Sequence, residues 1–351
     1  MAVSDESLHL LDGLTVHVAR TLEATEQALL ASWARAWNEV AREWEAAVAD
    51  LVAASKDGAW PTTRQVRRAR RAREARDLTL AAVQSAAAQM RLTVSSALPA
   101  FTEDAVDWEL RLLGSQLPGS TAKGVALLAS LERVDERQLA AIVRRTMYAV
   151  TKDAAMLPSF VTSTIQSVLV KGVAVGDNPR TAAAEMMRRL RGSFDLGRAR
   201  ALVIARTEML DAHRAAALEA DRANRKVLAG WQWSATLDER TCIGCLSMHG
   251  RRFPIDQAGP EGHQQCRCAR LPVTKTWADL GFDVEEPPDL LPDAQAWFDS
   301  LPPAVQRQIA GPARLAAYRD GLVAWEDLAV KRSNPGWRDS WVAAPVRTLV
   351  R

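Results

Sequence analysis

Long apolar runs are missing from this 351-residue chain: no stretch has the roughly 20 predominantly apolar residues that a membrane-spanning helix requires. The opening MAVSDESLHLLDG lacks the basic start and apolar run of a secretory signal, so a soluble, unsecreted protein without a membrane partner is expected. Aromatic residues other than tryptophan are scarce, with 2 Tyr and 6 Phe against 12 Trp. In a chain dominated by alanine and leucine, that mixture favours helices. A strong overall charge is also lacking. The formal net charge of +3 says nothing about a polyanionic partner, and only local clustering of arginine can argue for one. What is not short is length: two or three folding units are expected, and core burial is not limiting.

Cysteine is sparse but concentrated. The four are Cys242, Cys245, Cys266 and Cys268, and His263 lies among them, in the order C-x2-C and then H-x2-C-x-C. Thiolates two residues apart reach one tetrahedral ion from a tight turn, and a second pair from a later turn closes the site. Pro254 to Arg270 has little apolar content to fold around without such a closure. Five donors compete for about four places on zinc. The preferred set is Cys242, Cys245, His263 and Cys266, with Cys268 the substitute for His263. A pair of disulfides is the competing reading and would suit an oxidising compartment. A structural zinc outranks a catalytic one, which keeps a position open for water beside a proton-moving group. His249 and Asp238 are the neighbours with that chemistry, and their turn-like surroundings read as exposed loop. Iron remains an alternative at a thiolate site.

Along the chain, apolar residues from Leu11 through Leu14, Val18, Leu22, Leu29, Trp33, Trp37, Val40 and Trp44 to Leu51 recur at helical steps, predicting one long amphipathic helix. Its tryptophan stripe is read as core, with a partner-binding face as the alternative. After Asp57, Gly58 and Pro61 comes the densest charge: Arg64, Arg67, Arg68, Arg70, Arg71, Arg73 and Arg76. On a helix these cover most of the circumference, so they face solvent or a polyanion. The helix is expected to run on from Leu78 to Leu98 and stop before Pro99. A second basic patch includes Arg188, Arg189 and Arg191. Asp177, Asn178 and Pro179 read as a helix start, Gly192 as a break, and Leu196 to Arg225 as the next helix. Only then does the period change: Leu228 to Thr236 reads as a short strand, with Arg251 to Ile255 as its partner. Leu271-Pro272-Val273 to Pro288 reads as broken, proline-bearing chain.

Arg206-Thr207-Glu208, Trp231, Asp238-Glu239-Arg240-Thr241-Cys242-x2-Cys245, Gly250-x2-Phe253 and His263-x2-Cys266-Arg267-Cys268 follow one another in this order. The chain over Thr181 to Val273 resembles the phage Mu F-like head morphogenesis family, minor head proteins of tailed phages. Phe298-x2-Leu301-Pro302-x3-Gln306 and Gly311-x2-Arg314 are similar to the family's closing helical segment. One departure is Gln264, where the family usually has proline after the histidine. The resemblance implies a virion protein inside the head, made in the host cytoplasm and present in few copies. It also implies association with the portal, contact with the major capsid or scaffolding protein, and nonspecific contact with double-stranded DNA. Arg206, Glu208, Trp231 and Asp238 then become structural motif residues, with Arg206 and Glu208 expected to orient their helix against the metal knot.

The rival reading is an enzyme, a zinc-framed nuclease. It requires a histidine base and further ligands after the cysteine pair, and no histidine follows His263. A zinc-bearing DNA-reading regulator requires a helix directly after the ligands. The expectation is therefore a non-enzymatic, mainly helical α+β protein. It would have an N-terminal helical arm over 1–176, a head-morphogenesis domain with the knot over 177–280, and a C-terminal helical segment over 281–351.

Overall fold

The computed structural model describes residues 3–55, 61–171, 179–335 and 338–349. Asp57, Gly58, Asp177 and Asn178 lie outside them. The chain is mainly helical α+β and packs into two compact units: Met1–Thr21, Pro99–Val143 and Leu210–Arg351 form one, Leu22–Leu98 and Arg144–Met209 the other. These units cut across the sequence divisions at 176 and 280.

The second unit is built from helices. Helix α1 (Asp5–Ala53) contributes its later turns, α2 (Thr63–Arg68) follows, and α3 (Arg70–Gly114) supplies the turns up to Leu98. Beyond α4 (Ala122–Ala129), which belongs to the first unit, come α5 (Glu136–Ala154), α6 (Leu157–Lys171) and α7 (Pro179–Ala223). The tryptophan stripe is core: Leu29, Trp33, Val40, Trp44 and Leu51 are buried, and Trp37 is half-buried. Trp33 meets Phe194 edge-on at 5.1 Å, and the Trp44 indole N–H donates to Thr79 Oγ1 at 3.0 Å.

Two expected helix breaks are absent. Helix α3 continues through Pro99, and α7 through Gly192. Proline removes one helical hydrogen bond, but the flanking Leu98 and Phe101 are buried. Gly192 sits between the buried Leu190 and Phe194. In both places side-chain burial outweighs the local propensity, a penalty of about 1 kcal/mol for glycine and about 3 kcal/mol for proline.

The first unit carries a three-stranded antiparallel sheet ordered β2-β1-β3. Its strands are β1 (Leu228–Ser234), β2 (Arg252–Phe253) and β3 (Ala269–Thr274). The β1–β2 pairing was legible in sequence, and β3 was not, because Pro272 argues against a strand. At a sheet edge a missing N–H costs no ladder bond, and the Pro272 carbonyl accepts from Gln116 Nε2 at 2.7 Å. The tail also departs from a purely helical segment. Helices α9 (Ala294–Ser300), α10 (Pro303–Ala310) and α11 (Pro312–Arg319) precede a hairpin of β4 (Ala329–Arg332) and β5 (Ser340–Ala343), and α12 (Val346–Leu349) follows. Gln306 caps the end of α9, its Nε2 donating to the carbonyls of Phe298 and Leu301 at 2.9 and 3.1 Å.

Candidate metal centre

One turn of helix sets the first pair of sulfurs. Cys242 is the N-cap of α8 (Ile243–Met248), its Sγ accepting from the Cys245 N–H at 3.4 Å, so both sulfurs face the same side. Gly244, between them, lies against the backbone of β5: a Cβ there would come within 2.6 Å of Ala343 N. The second group arrives on the loop entering β3. Gln265 adopts a left-handed φ of 60°, which turns Cys266 inward, and Cys268 is one residue short of the strand. Gly262 faces the Cys266 sulfur so closely that a Cβ would overlap it at 2.2 Å.

The five donors form two overlapping groups: Cys242, Cys245 and His263, and Cys245, Cys266 and Cys268. Within each, the ligand atoms lie within 4.8 Å of one another. The disulfide alternative is not what the structure shows, since all four cysteines are free. Cys245 and Cys266 stand 3.7 Å apart, and Cys242 Sγ and His263 Nε2 stand 3.3 Å apart. Zinc–sulfur bonds of about 2.3 Å and zinc–nitrogen bonds of about 2.0–2.1 Å at tetrahedral angles require about 3.8 and 3.6 Å. These two pairs therefore have the chemistry and spacing of metal ligands, while among the described residues no four of the donors lie within 4.8 Å of one another. His263 has the orientation of a ligand, because Nδ1–H donates to the Gln264 carbonyl at 2.8 Å and leaves Nε2 toward Cys242. Gln264 thus supplies the carbonyl that aims the ring.

Charge is unevenly distributed over the donors. The hydrogen bond with Cys245, and then the His263 ring, pull the Cys242 thiol down to about 5 against the opposing effect of burial. The Cys242 hydrogen bond lifts His263 to about 9. Cys266 is held low by its hydrogen bonds with Cys245 and Cys268, while Cys245 is pushed up by its bonds with Cys242 and Cys266, and Cys268 chiefly by burial.

Around the sulfurs stand residues that sequence reasoning missed. Arg214 of α7 is buried, and its guanidinium donates to the carbonyls of both Cys266 and Cys268, the latter at 3.0 and 3.1 Å. Asp211 steadies Arg214 at 2.9 Å and is gripped in turn by Arg338 at 2.7 and 2.8 Å. On the next strand Arg270, 1 % exposed, pairs with the buried Asp221. Its other nitrogens donate to the carbonyls of Gln257 and Ile255, and its plane lies 4.6 Å from the Trp231 ring. Glu109 lies beside Asp221, and burial first and then Asp221 push its carboxyl well above the ordinary range. The available signal was charge in register with burial: Asp211, Arg214 and Asp221 occupy the inward face of α7, and Arg270 the inward face of β3.

The expected motif residues divide. Trp231 is buried against Phe253, with ring centroids 4.5 Å apart. Asp238 is no loose loop residue: it takes both arms of Arg267, at 2.5 and 2.7 Å, and the Thr241 hydroxyl at 2.9 Å. Burial pushes its carboxyl up, but these bonds outweigh it and hold it at about 2. His249 is also tied down. Its Nδ1 accepts from the Ala235 N–H at 3.0 Å, and Nε2 donates to the Pro292 carbonyl at 3.1 Å. Arg206 pairs with Glu26 at 2.7 Å, and Arg214 is the residue of α7 that reaches the knot; Glu208 is half-buried.

The two arginine patches also differ. In α7, Glu185 takes Arg188 and Arg189, and Asp195 lies 3.8 Å from Arg191 and 3.3 Å from Arg198. In the earlier patch Arg70, Arg71 and Arg76 have acidic neighbours, Glu74, Asp50 and Asp77. Arg64, Arg67, Arg68 and Arg73 are exposed and have no carboxylate partner among the described residues.

No helix among the described residues is long and apolar enough to cross a membrane. No curated protein and no solved structure matches the chain. Residues 163–271, which contain α7, the first two strands and all five donors, match the family model described as Phage Mu protein F like protein, so this chain carries a Mu F-like region, and the family implies a phage head morphogenesis protein.

Proposed function

We propose that this chain is an internal minor head protein of a tailed phage that joins the portal during procapsid assembly and acts as a structural component rather than an enzyme. The observation that carries the reading is the Mu F-like match over residues 163–271, which encloses the whole donor cluster. Cys242, Cys245, Cys266 and His263 would hold zinc, with Cys268 as the fifth, buried thiol. The ion would cross-link α8 to the loop before β3 where a three-stranded sheet has little core of its own. A structural role suits the surroundings, because both ring nitrogens of His249 are already engaged. The earlier arginine patch would lie against packaged DNA through its phosphates, without reading sequence. Co-expression with the portal protein expected beside it in the same phage tests the reading. A complex of fixed stoichiometry that survives moderate salt is the expected result. A soluble, folded chain that never co-purifies with portal would overturn the portal assignment.

A further inference from the structure

Between α2, α3 and α6 lies a hollow of about 270 Å³ on which Arg67, Arg73 and Arg76 converge with Gln166 over an apolar floor that includes Val66 and Ala72. Three separate elements bring these groups together. Arg67 comes from α2, whose start is fixed by a capping box between Thr62 and Gln65 and whose Val66 is buried. Arg73 and Arg76 are three residues apart on one face of α3, and Gln166 projects from α6.

The charges in this hollow are poorly compensated. Arg67 and Arg73 are exposed and have no acidic partner among the described residues. Arg76 gives Nε and Nη2 to Asp77 at 3.0 and 2.7 Å, which leaves Nη1. Within the same run, Arg70 and Arg71 lie outside this hollow and have acidic partners of their own, Glu74 and Asp50. Three guanidinium forks that converge with one carboxylate among them, Asp77 on Arg76, leave a local positive potential. The ligand that best relieves it is a compact, multiply oxygenated anion able to accept paired N–H donors.

We infer that the hollow lined by Arg67, Arg73, Arg76 and Gln166 seats a phosphate group. The inference rests on the reading of this arginine-rich segment as phosphate-facing and adds a definite seat to it. The phosphate comes from a nucleic-acid backbone or from free phosphate, and two measurements on the full chain separate these sources. One is the fluorescence anisotropy of a short labelled duplex of arbitrary sequence. The other is the thermal shift produced by inorganic phosphate against chloride at matched ionic strength.

Each measurement compares wild type with R67Q/R73Q, which empties the seat, and with R64Q/R68Q, which removes the same charge from exposed positions outside it. The seat predicts that R67Q/R73Q loses about tenfold in duplex affinity or abolishes the phosphate shift, while R64Q/R68Q changes either readout far less. Selective loss in the duplex readout alone assigns the seat to a nucleic-acid backbone, and selective loss in the phosphate readout alone assigns it to the free anion. Equal losses for the two pairs overturn the seat and leave a diffuse phosphate-facing surface. A wild-type chain that neither binds duplex nor responds to phosphate overturns the underlying reading together with the seat.

Discussion

Trp33 and Trp44 in the helical unit and Trp231 and Trp233 in the sheet are each only 1 % exposed, but they are buried against different materials. Trp33 meets Phe194, and Trp44 spends its indole N–H on a threonine hydroxyl. Around them are alanines, valines and leucines. Trp231 lies between Phe253 and the Arg270 guanidinium, and Trp233 packs among Cys245, Cys266 and Cys268. The first core is held by apolar area, which is lost in proportion to the atoms removed. The second is held by buried charged and polar groups paired with one another, so removing one partner leaves a buried charge or a free thiol in an environment that cannot solvate it.

The largest effect should come from Cys245, which belongs to both donor groups. Cys245→Ser is expected to abolish bound metal in elemental analysis and to open the β1–β3 region to protease, a loss of several kcal/mol, while the helical signal from residues 22–98 persists. Retention of stoichiometric metal by this variant would remove the basis for the contrast. Next come Arg270→Met and Trp33→Ala, each costing about 3–5 kcal/mol in urea denaturation. They differ in whether they can be rescued. Adding Asp221→Leu to Arg270→Met should recover most of the loss, because the cost lies in the orphaned carboxylate, whereas no second apolar change should refill the space left by Trp33. If the double variant recovers nothing, Arg270 acts through packing alone.

The smallest effect at neutral pH concerns His213, buried against Phe101. Burial first, and then Arg214 and His17, hold its imidazole at about 3, below the ordinary 6.5. A folded value below the unfolded one means that its contribution to stability is whole above pH of about 6.5 and is lost as pH falls toward 3, at up to about 1.4 kcal/mol per pH unit. The raised carboxyls of Glu109 and Asp221 act in the opposite direction, losing stability as pH rises. The difference between wild type and His213→Leu isolates the imidazole. Parallel stability curves for the two proteins between pH 4 and 7, in increments of about 1 unit, would remove His213 from the acid response.

The helical part of the fold was legible because burial there follows a 3.6-residue period, as the stripe from Leu14 to Leu51 shows. The five donors were legible because metal ligands are few in kind and fixed in spacing. What sequence could not reveal was the company they keep. Arg214 and Arg270 look like any other arginine until α7 and β3 carry them inward. Pro99, Gly192 and Pro272 signal breaks whose local penalties are outweighed by contacts with residues distant in sequence, Gln116 with Pro272 among them. The hairpin β4–β5 gave little signal because each of its strands is only four residues long.

Gly244 and its contact with β5 also impose an order in time. All five donors leave the ribosome before Ala343, the residue whose backbone settles against the turn between Cys242 and Cys245. An ion taken up by this site would be able to enter while that turn is still open, before the later strand covers it. In vivo, metal supply during synthesis, rather than exchange into finished protein, would then set how many chains carry the ion.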